Sequence, residues 1–274
     1  MTAQAVLSRH TTVGAGSVDE VTRLLVCWQH PETRRYHAAG LLTGEDGGFG
    51  FNYLRRAADI PGFRPFVGFS RLARHYRSMH LFPLFAERVM DSNRPDRPRW
   101  LDALALPTDA TPLEVLARSG GHRPGDTIEL LPVPTVDFDG LSRCVFLAHG
   151  VRHQPGASER ITGLRSGDRL ALQEDSLNPV NASALLVMAG GDGAVGYVPD
   201  PLLDHVHAVR AQADSTITVV RANGPEVGHH LRLLVRLEGR VPAGYQPCTG
   251  PGWELASDDP PFMVGMIASE AGDA

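Results

Sequence analysis

The sequence predicts an α+β fold in two modules: an N-terminal small β-sheet with helices, then a C-terminal β-rich, barrel-like domain with one helix. Three observations predict it. The 274 residues are 42% hydrophobic, enough chain for two ordinary domains that each bury a core. Strand-like apolar runs bounded by Gly, Asp and Pro occur near both ends, with helical spacing gathered between them. A turn-rich stretch, TVDFDGLS, separates the two groups of strands.

In chain order, residues 1–20 are small and polar without periodicity and are expected to form a flexible arm. The first module is placed at 21–135. VTRLLVCW, YHAAGLLT and FGFNYL read as three strands, joined at HPETRR and GEDGG, where Gly and Asp supply positive φ. LFPLFAERVM changes period: Leu81, Leu84, Phe85, Arg88 and Val89 fall at helical spacing. RWLDALAL reads as a second short helix. TPLEVLARSGG is a third, with Thr111 as N-cap, Glu114 completing a capping box and glycines as its stop. DTIELLPVP returns to strand.

The second module is placed at 142–240, with six strand-like runs: CVFLAHGV, DRLALQED, ALLVMAG, AVGYVP, STITVVRA and HLRLLVRLEG. One helix, PDPLLDHVHAVR, interrupts them. Residues 241–274 form an acidic, Gly/Pro-rich tail with an apolar island, PPFMVGMIA, suited to lie against a surface. The polar hinge between the modules predicts that each half folds alone.

Charge narrows the function classes. The net charge of -5 does not announce a polyanion binder, and residues 141–240 balance ten arginines against ten acids. Nucleic-acid affinity in that half has to come from local geometry rather than bulk attraction. Residues 52–101 are basic, with ten arginines against four acids, whereas residues 241–274 hold five acids and no base. All 26 basic residues are arginine, which genomic base composition explains better than selection for bidentate phosphate contacts. The three cysteines, Cys27, Cys144 and Cys248, show no zinc or disulfide spacing, and a reducing cytoplasm is expected. No signal peptide and no run of about 18 apolar residues is present, so no membrane association is expected.

Catalytic templates are missing. The chain has no GxxxxGK[ST], no HExxH and no GxSxG. GGDGAVG sits between two strand-like runs and reads as a hairpin turn, not a phosphate cradle. His205 with His207, and His229 with His230, lack the i, i+4 spacing of a helical metal site and read as solvated or packed. Arg71, Arg74 and Arg77 recur every three residues, a solvated face or a basic stripe for an acidic partner. Phe63, Phe66 and Phe69 read as core. A non-enzyme without metal or cofactor is expected.

Two resemblances add to this. His149-Gly150-Val151-Arg152-His153, then LRSGDRLAL (164–172), then Glu174-Asp175-Ser176-Leu177-Asn178-Pro179-Val180-Asn181-Ala182, and finally Gly196-Tyr197-Val198-Pro199 stand in the order G-x-R-aromatic, GDxLxLxxExxNPxDxxAxxV and GYVP. Over residues 142–240 this order resembles the HIRAN domain, a small β-rich fold associated with recognising the 3′ end of single-stranded DNA. The resemblance implies a nucleic-acid-binding set of Arg152, His153, Asn178 and Tyr197. A guanidinium at Arg152 suits phosphate, His153 and Tyr197 suit base stacking, and Asn178 suits a base edge or terminal hydroxyl. Alternatively, Asn178-Pro179 only shapes a turn and Tyr197 only packs. The chain departs from the pattern at Val180, where an aromatic is usual, at Asn181, where an acid is usual, and at Asp200, often basic.

Residues 21–133, with GLLTGEDGGFGFNYL, PFVGFSRL, Pro83-Leu84-Phe85-Ala86 and TPLEVLARSGG, look similar to the N-terminal subdomain of HipA-type toxin kinases, whose catalytic lobes are absent here. The two resemblances together imply a bacterial adaptor: one module docks a protein partner, a HipA-like kinase or a helicase or nuclease, and the other takes single-stranded DNA or its 3′ end. The alternative is a protein-only regulator of a toxin–antitoxin kind, with a vestigial DNA pocket.

Overall fold

The computed structural model describes residues 21–45, 47–123, 125–191 and 193–257, together with the backbone of Phe262–Met263. The arm expected over residues 1–20, Asp46 of the GEDGG turn and most of the apolar island lie outside the described residues.

The chain opens with an antiparallel meander, β1 (Arg23–Gln29), β2 (Tyr36–Glu45) and β3 (Gly48–Tyr53). A 3-10 turn (Arg55–Asp59) and an aromatic loop lead to the short β4 (Tyr76–Ser78) beside β3. Three helices follow, α1 (Pro83–Ala86), α2 (Arg97–Ala103) and α3 (Pro112–Ser119), and β5 (Ile128–Pro132) returns to pair with β1. Helix α3 carries the expected capping box: Thr111 Oγ1 accepts from the Glu114 amide at 3.3 Å, and the Glu114 carboxylate accepts from the Thr111 amide at 2.7 Å. Gly120 ends it at φ 69.

The second half consists of β6 (Thr135–Val136), β7 (Leu141–Leu147), α4 (Ala157–Thr162), β8 (Arg169–Glu174), β9 (Leu185–Met188), β10 (Ala194–Tyr197), α5 (Leu203–Arg210), β11 (Thr216–Ala222) and β12 (Leu233–Arg240). Its sheet runs β10-β9-β8-β11-β12-β7-β6. The far ends come round to meet. His149 and Tyr197 exchange backbone hydrogen bonds at 2.9 and 2.8 Å, so β10 and the chain just past β7 close the sheet into a barrel-like ring. The last strand, β13 (Phe262–Met263), lies parallel to β4 at the edge of the first sheet.

The run LLVC in β1 explains how the two halves join. Successive strand side chains point to opposite faces, yet Leu24, Leu25, Val26 and Cys27 are all 0% exposed, so both faces of the first sheet are covered. Leu24 and Val26 pack with Phe51, Tyr53, Phe69, Phe82 and Phe85. Leu25 and Cys27 enter a different cluster, with Phe146, Val187, Val235 and Leu237 of the second sheet. The same division holds in β5, where Leu130 faces the aromatic cluster and Leu131 the shared one. A third cluster joins Leu101, Leu104 and Val115 of the helices to Leu147, Leu231 and Leu234. Asn223 reinforces it, donating to the Ala103 and Leu231 carbonyls at 2.8 and 2.6 Å.

The fold is α+β, and several details differ from expectation. Contacts are not confined to either side of the hinge. The apolar runs of the first half serve two cores, and a strand buried on both faces reads in sequence like any other apolar run. The helix expected over LFPLFAERVM is a single turn, because after Ala86 the amides of Arg88 and Val89 bond three residues back, to Phe85 and Ala86, and the turn tightens out. The strand expected to end in His149-Gly150-Val151 stops at Leu147. Gly150 turns the chain at φ 64, and Val151–His153 forms a 3-10 turn. The second half holds a further helix, α4, besides the expected one.

Candidate nucleic-acid interface

The candidate residues collect where the ring closes. Gly196 permits the closure, since a Cβ there would stand 2.8 Å from the His149 carbonyl oxygen. Tyr197 follows it, with its ring against Gly150 at the start of the turn that carries Arg152 and His153. The Tyr197 hydroxyl donates to Asp175 Oδ2 at 2.9 Å, and Asn178 Nδ2 donates to the same oxygen at 3.0 Å. One carboxylate thus joins two of the four candidates. Burial raises the Tyr197 pKa, helped by the bond to Asp175 and opposed by one from Gln154, so Tyr197 is a neutral donor near neutral pH.

Arg152 and His153 are both exposed on the adjoining turn. Arg152 Nε donates to His153 Nε2 at 2.9 Å, which makes that imidazole nitrogen an acceptor. Gln154, next in sequence, reaches the Tyr197 hydroxyl. The arginine–histidine pair and the tyrosine–asparagine pair therefore flank one junction, linked through Gln154 and Asp175.

Asn178 also shapes its own loop: its Oδ1 accepts from the amides of Val180 and Asn181 at 3.0 and 3.1 Å, an Asx-type turn. That loop presents Leu177 and Val180 to solvent, at 92% and 49% exposure. Asn181 and Asp200, two separate departures from the family pattern, are partners: Asn181 Nδ2 donates to Asp200 Oδ1 at 2.8 Å.

Sequence reasoning passed over Asp175, Gln154 and His149 as site residues. Asp175 stood inside the quoted motif without a role, and nothing in its spacing to Tyr197 signals their contact. His149 Nε2 lies 2.7 Å from Glu129 Oε1 of β5, and its ring centroid is 5.3 Å from that of Tyr36. Burial alone would pull the His149 pKa down, but the Glu129 carboxylate, by charge and hydrogen bond, together with Asp200 makes the net shift upward.

Neither a protein-family model nor a curated protein sequence matches the chain. Two solved structures are similar over part of it. A protein from Lactobacillus plantarum aligns with 37% of this chain and 100% of its own at 19% identity and a TM-score of 0.29. The HIRAN domain of human HLTF aligns with 39% of this chain and 84% of its own at 16% identity and a TM-score of 0.27.

The other sequence candidates find ordinary places. Phe66 and Phe69 are buried in the aromatic cluster and Phe63 packs against it. Arg71, Arg74 and Arg77 lie on a bend and the short β4, where three-residue spacing gives no common helical face, and Arg77 pairs with Glu45 at 2.9 Å. His205 is buried and lies 2.9 Å from Ser142 Oγ, while the half-buried His207 bonds the Ser183 carbonyl at 3.0 Å. His230 lies against His122, with ring centroids 4.6 Å apart and the rings tilted by 43°. Among the described residues there is no cluster of three or more metal-ligating side chains, and no helix is long and apolar enough to cross a membrane.

Proposed function

We propose that this chain is a non-catalytic DNA-binding adaptor whose ring-closing junction receives the 3′ end of single-stranded DNA. The observation that carries the reading is the junction itself: exposed Arg152 and His153 on one side, and Tyr197 and Asn178 held by Asp175 on the other. In this reading the Arg152 guanidinium takes a backbone phosphate and the Tyr197 ring carries a base. Exposed Leu177 and Val180 offer a base face an apolar rim. The first sheet and its helices serve a protein partner, a HipA-like kinase or a helicase or nuclease, in a bacterial cytoplasm.

One observation favours the second reading, a protein-only regulator. The Tyr197 hydroxyl, the Asn178 amide and the Asn181 amide already bond carboxylates within the fold, so a DNA end has to compete for them.

Fluorescence anisotropy with matched single strands ending in 3′-hydroxyl or 3′-phosphate separates the two. The DNA reading expects weak binding that prefers the 3′-hydroxyl and falls gently with salt, since few phosphates are neutralised. Arg152→Ala removes most of it, and Tyr197→Ala removes a stacking contribution of about 1–3 kcal/mol. Val180→Tyr tightens it by restoring a stacking face. Equal affinity for both ends, unchanged by Arg152→Ala, leaves the protein-only regulator.

A further inference from the structure

A cleft of about 440 Å³ opens between the two halves, apart from Arg152 and Tyr197. The first half lines it with Arg35 at the β1–β2 turn, His37 on β2, and Arg56 and Asp59 on the 3-10 turn after β3. The second half lines it with Asn181, Asp200 and Asp204, and the indole of Trp253 stands beside Arg56.

The Nε atoms of Arg35 and Arg56 are buried without a hydrogen-bond partner, and among the described residues neither guanidinium forms an ion pair. Arg56 lies over Trp253, its guanidinium carbon 3.7 Å from the ring centroid, which holds the cation in place and leaves its hydrogen-bonding edges for something else. Burial lowers the Arg56 pKa, the penalty of a cation set against protein without a paired anion. Arg88 and Arg160 likewise carry a buried Nε without a partner, but the rest of each guanidinium is engaged: Arg88 pairs with Asp126, and Arg160 donates to the Ala194 carbonyl at 2.9 Å.

The facing wall is acidic, yet its carboxylates do not close the gap. Asp204 is exposed, and Asp200 is occupied by Asn181. Opposite charges on facing walls pair directly when an interface collapses. Here they are held apart across a space in the range of small-molecule sites, roughly 300–1,000 Å³. A ligand that bridges them needs an anion at one end and hydroxyl or amino donors at the other.

We infer that this cleft binds a nucleoside monophosphate unit, its phosphate monoester on Arg35 and Arg56 and its sugar or base donors toward Asp200 and Asp204. The unit is either a free mononucleotide or the 5′-phosphorylated end of a strand. The inference goes beyond the DNA reading: none of Arg152, His153, Asn178 and Tyr197 lines the cleft, and the two sites share only the Asn181–Asp200 pair.

The test uses the full chain, with calorimetry and thermal melting against adenosine 5′-monophosphate, adenosine, inorganic phosphate, and 5′-phosphorylated or 5′-hydroxyl oligonucleotides. Adenosine monophosphate is expected to bind and to raise Tm with concentration, more tightly than adenosine or phosphate. Arg35→Gln weakens it about tenfold or more, the loss of a charge-assisted bond. Arg56→Gln does the same where it folds, and Arg35→Gln decides alone where it does not. Arg152→Ala leaves mononucleotide binding unchanged, so failure of the DNA reading and failure of this one are distinct. A 5′-phosphorylated strand that binds through Arg35 while the mononucleotide does not assigns the strand end as the source. Adenosine equal to its monophosphate, no binding by any phosphorylated probe, or binding indifferent to Arg35→Gln overturns the inference.

Discussion

The two faces of the first sheet are buried by different means. One face carries an aromatic cluster assembled within residues 21–130: Phe51 lies 4.4 Å from Phe69 and 5.7 Å from Phe85 between ring centroids. The other face has no cover from its own half. Leu25, Cys27, Ala38, Leu41, Leu54 and Leu131 are buried only against the aliphatic interior of the second sheet and the segment that follows it. Burying one large apolar side chain contributes about 1.5–3 kcal/mol. The four leucines alone are therefore comparable with the whole stability of an ordinary domain, about 5–15 kcal/mol. The lesson is that a change of sheet at residue 135 marks a topological boundary without marking an energetic one.

Cutting the chain there is the harshest way to break the comparison. A fragment of residues 21–134 uncovers the apolar face and is expected to aggregate or to melt without a cooperative transition, whereas the intact chain unfolds as one unit. Cooperative unfolding of both fragments by circular dichroism would restore the two-module picture.

Single truncations sharpen it. Phe85→Ala, confined to the aromatic face, is expected to destabilise by about 3–5 kcal/mol, and Leu25→Ala on the shared face by about 2–5 kcal/mol. In denaturant, Leu25→Ala also broadens the transition, because it loosens one half from the other.

Two histidines give the comparison a pH signature of opposite sign. Burial depresses the His205 pKa to about 4, so below the unfolded value of about 6.5 the unfolded chain takes up a proton that the folded chain refuses. Stability is expected to fall by about 1.4 kcal/mol per pH unit between those limits, and His205→Phe flattens that slope in urea titrations. His149 is raised instead, against Glu129. Its contribution is fully present below the unfolded value and is lost as pH rises through the folded one. Glu129→Gln abolishes that loss as pH rises above the unfolded value of about 6.5.

The smallest effect is expected at the exposed turn. Arg152→Ala changes stability by less than about 0.5 kcal/mol, so any loss of DNA binding in that variant reports the site and not the fold.

Much of this fold was legible locally. The capping box at Thr111 and Glu114 needs only four residues of context, and each of the six strand runs in the second half carries its own apolar pattern and turn residues. Short elements were not legible. Strand β4 hides in RLARHYR, where three arginines outweigh the buried Tyr76, and the six residues of α4 are too few to show a period. The candidate site was half legible for the same reason. Arg152, His153, Asn178 and Tyr197 were reachable from motif order, but the contacts that unite them join positions far apart in the chain. Tyr197 at the end of β10 meets Asp175 just past β8, across the intervening β9, Asn181 meets Asp200, and Arg35 faces the second half across the cleft. Such pairings come from topology, which no local pattern encodes.

His149 stands at the crossing of these relations. Its main chain holds Tyr197 and its side chain holds Glu129, so one residue is at once the clasp of the ring and the rivet between the halves. A signal between the ring-closing junction and the first sheet has a relay of length one. A ligand that favours a different placing of Tyr197 alters the grip on β5 through the same residue, and a partner that displaces β5 alters Tyr197 to the same degree, because coupling between two binding sites is reciprocal.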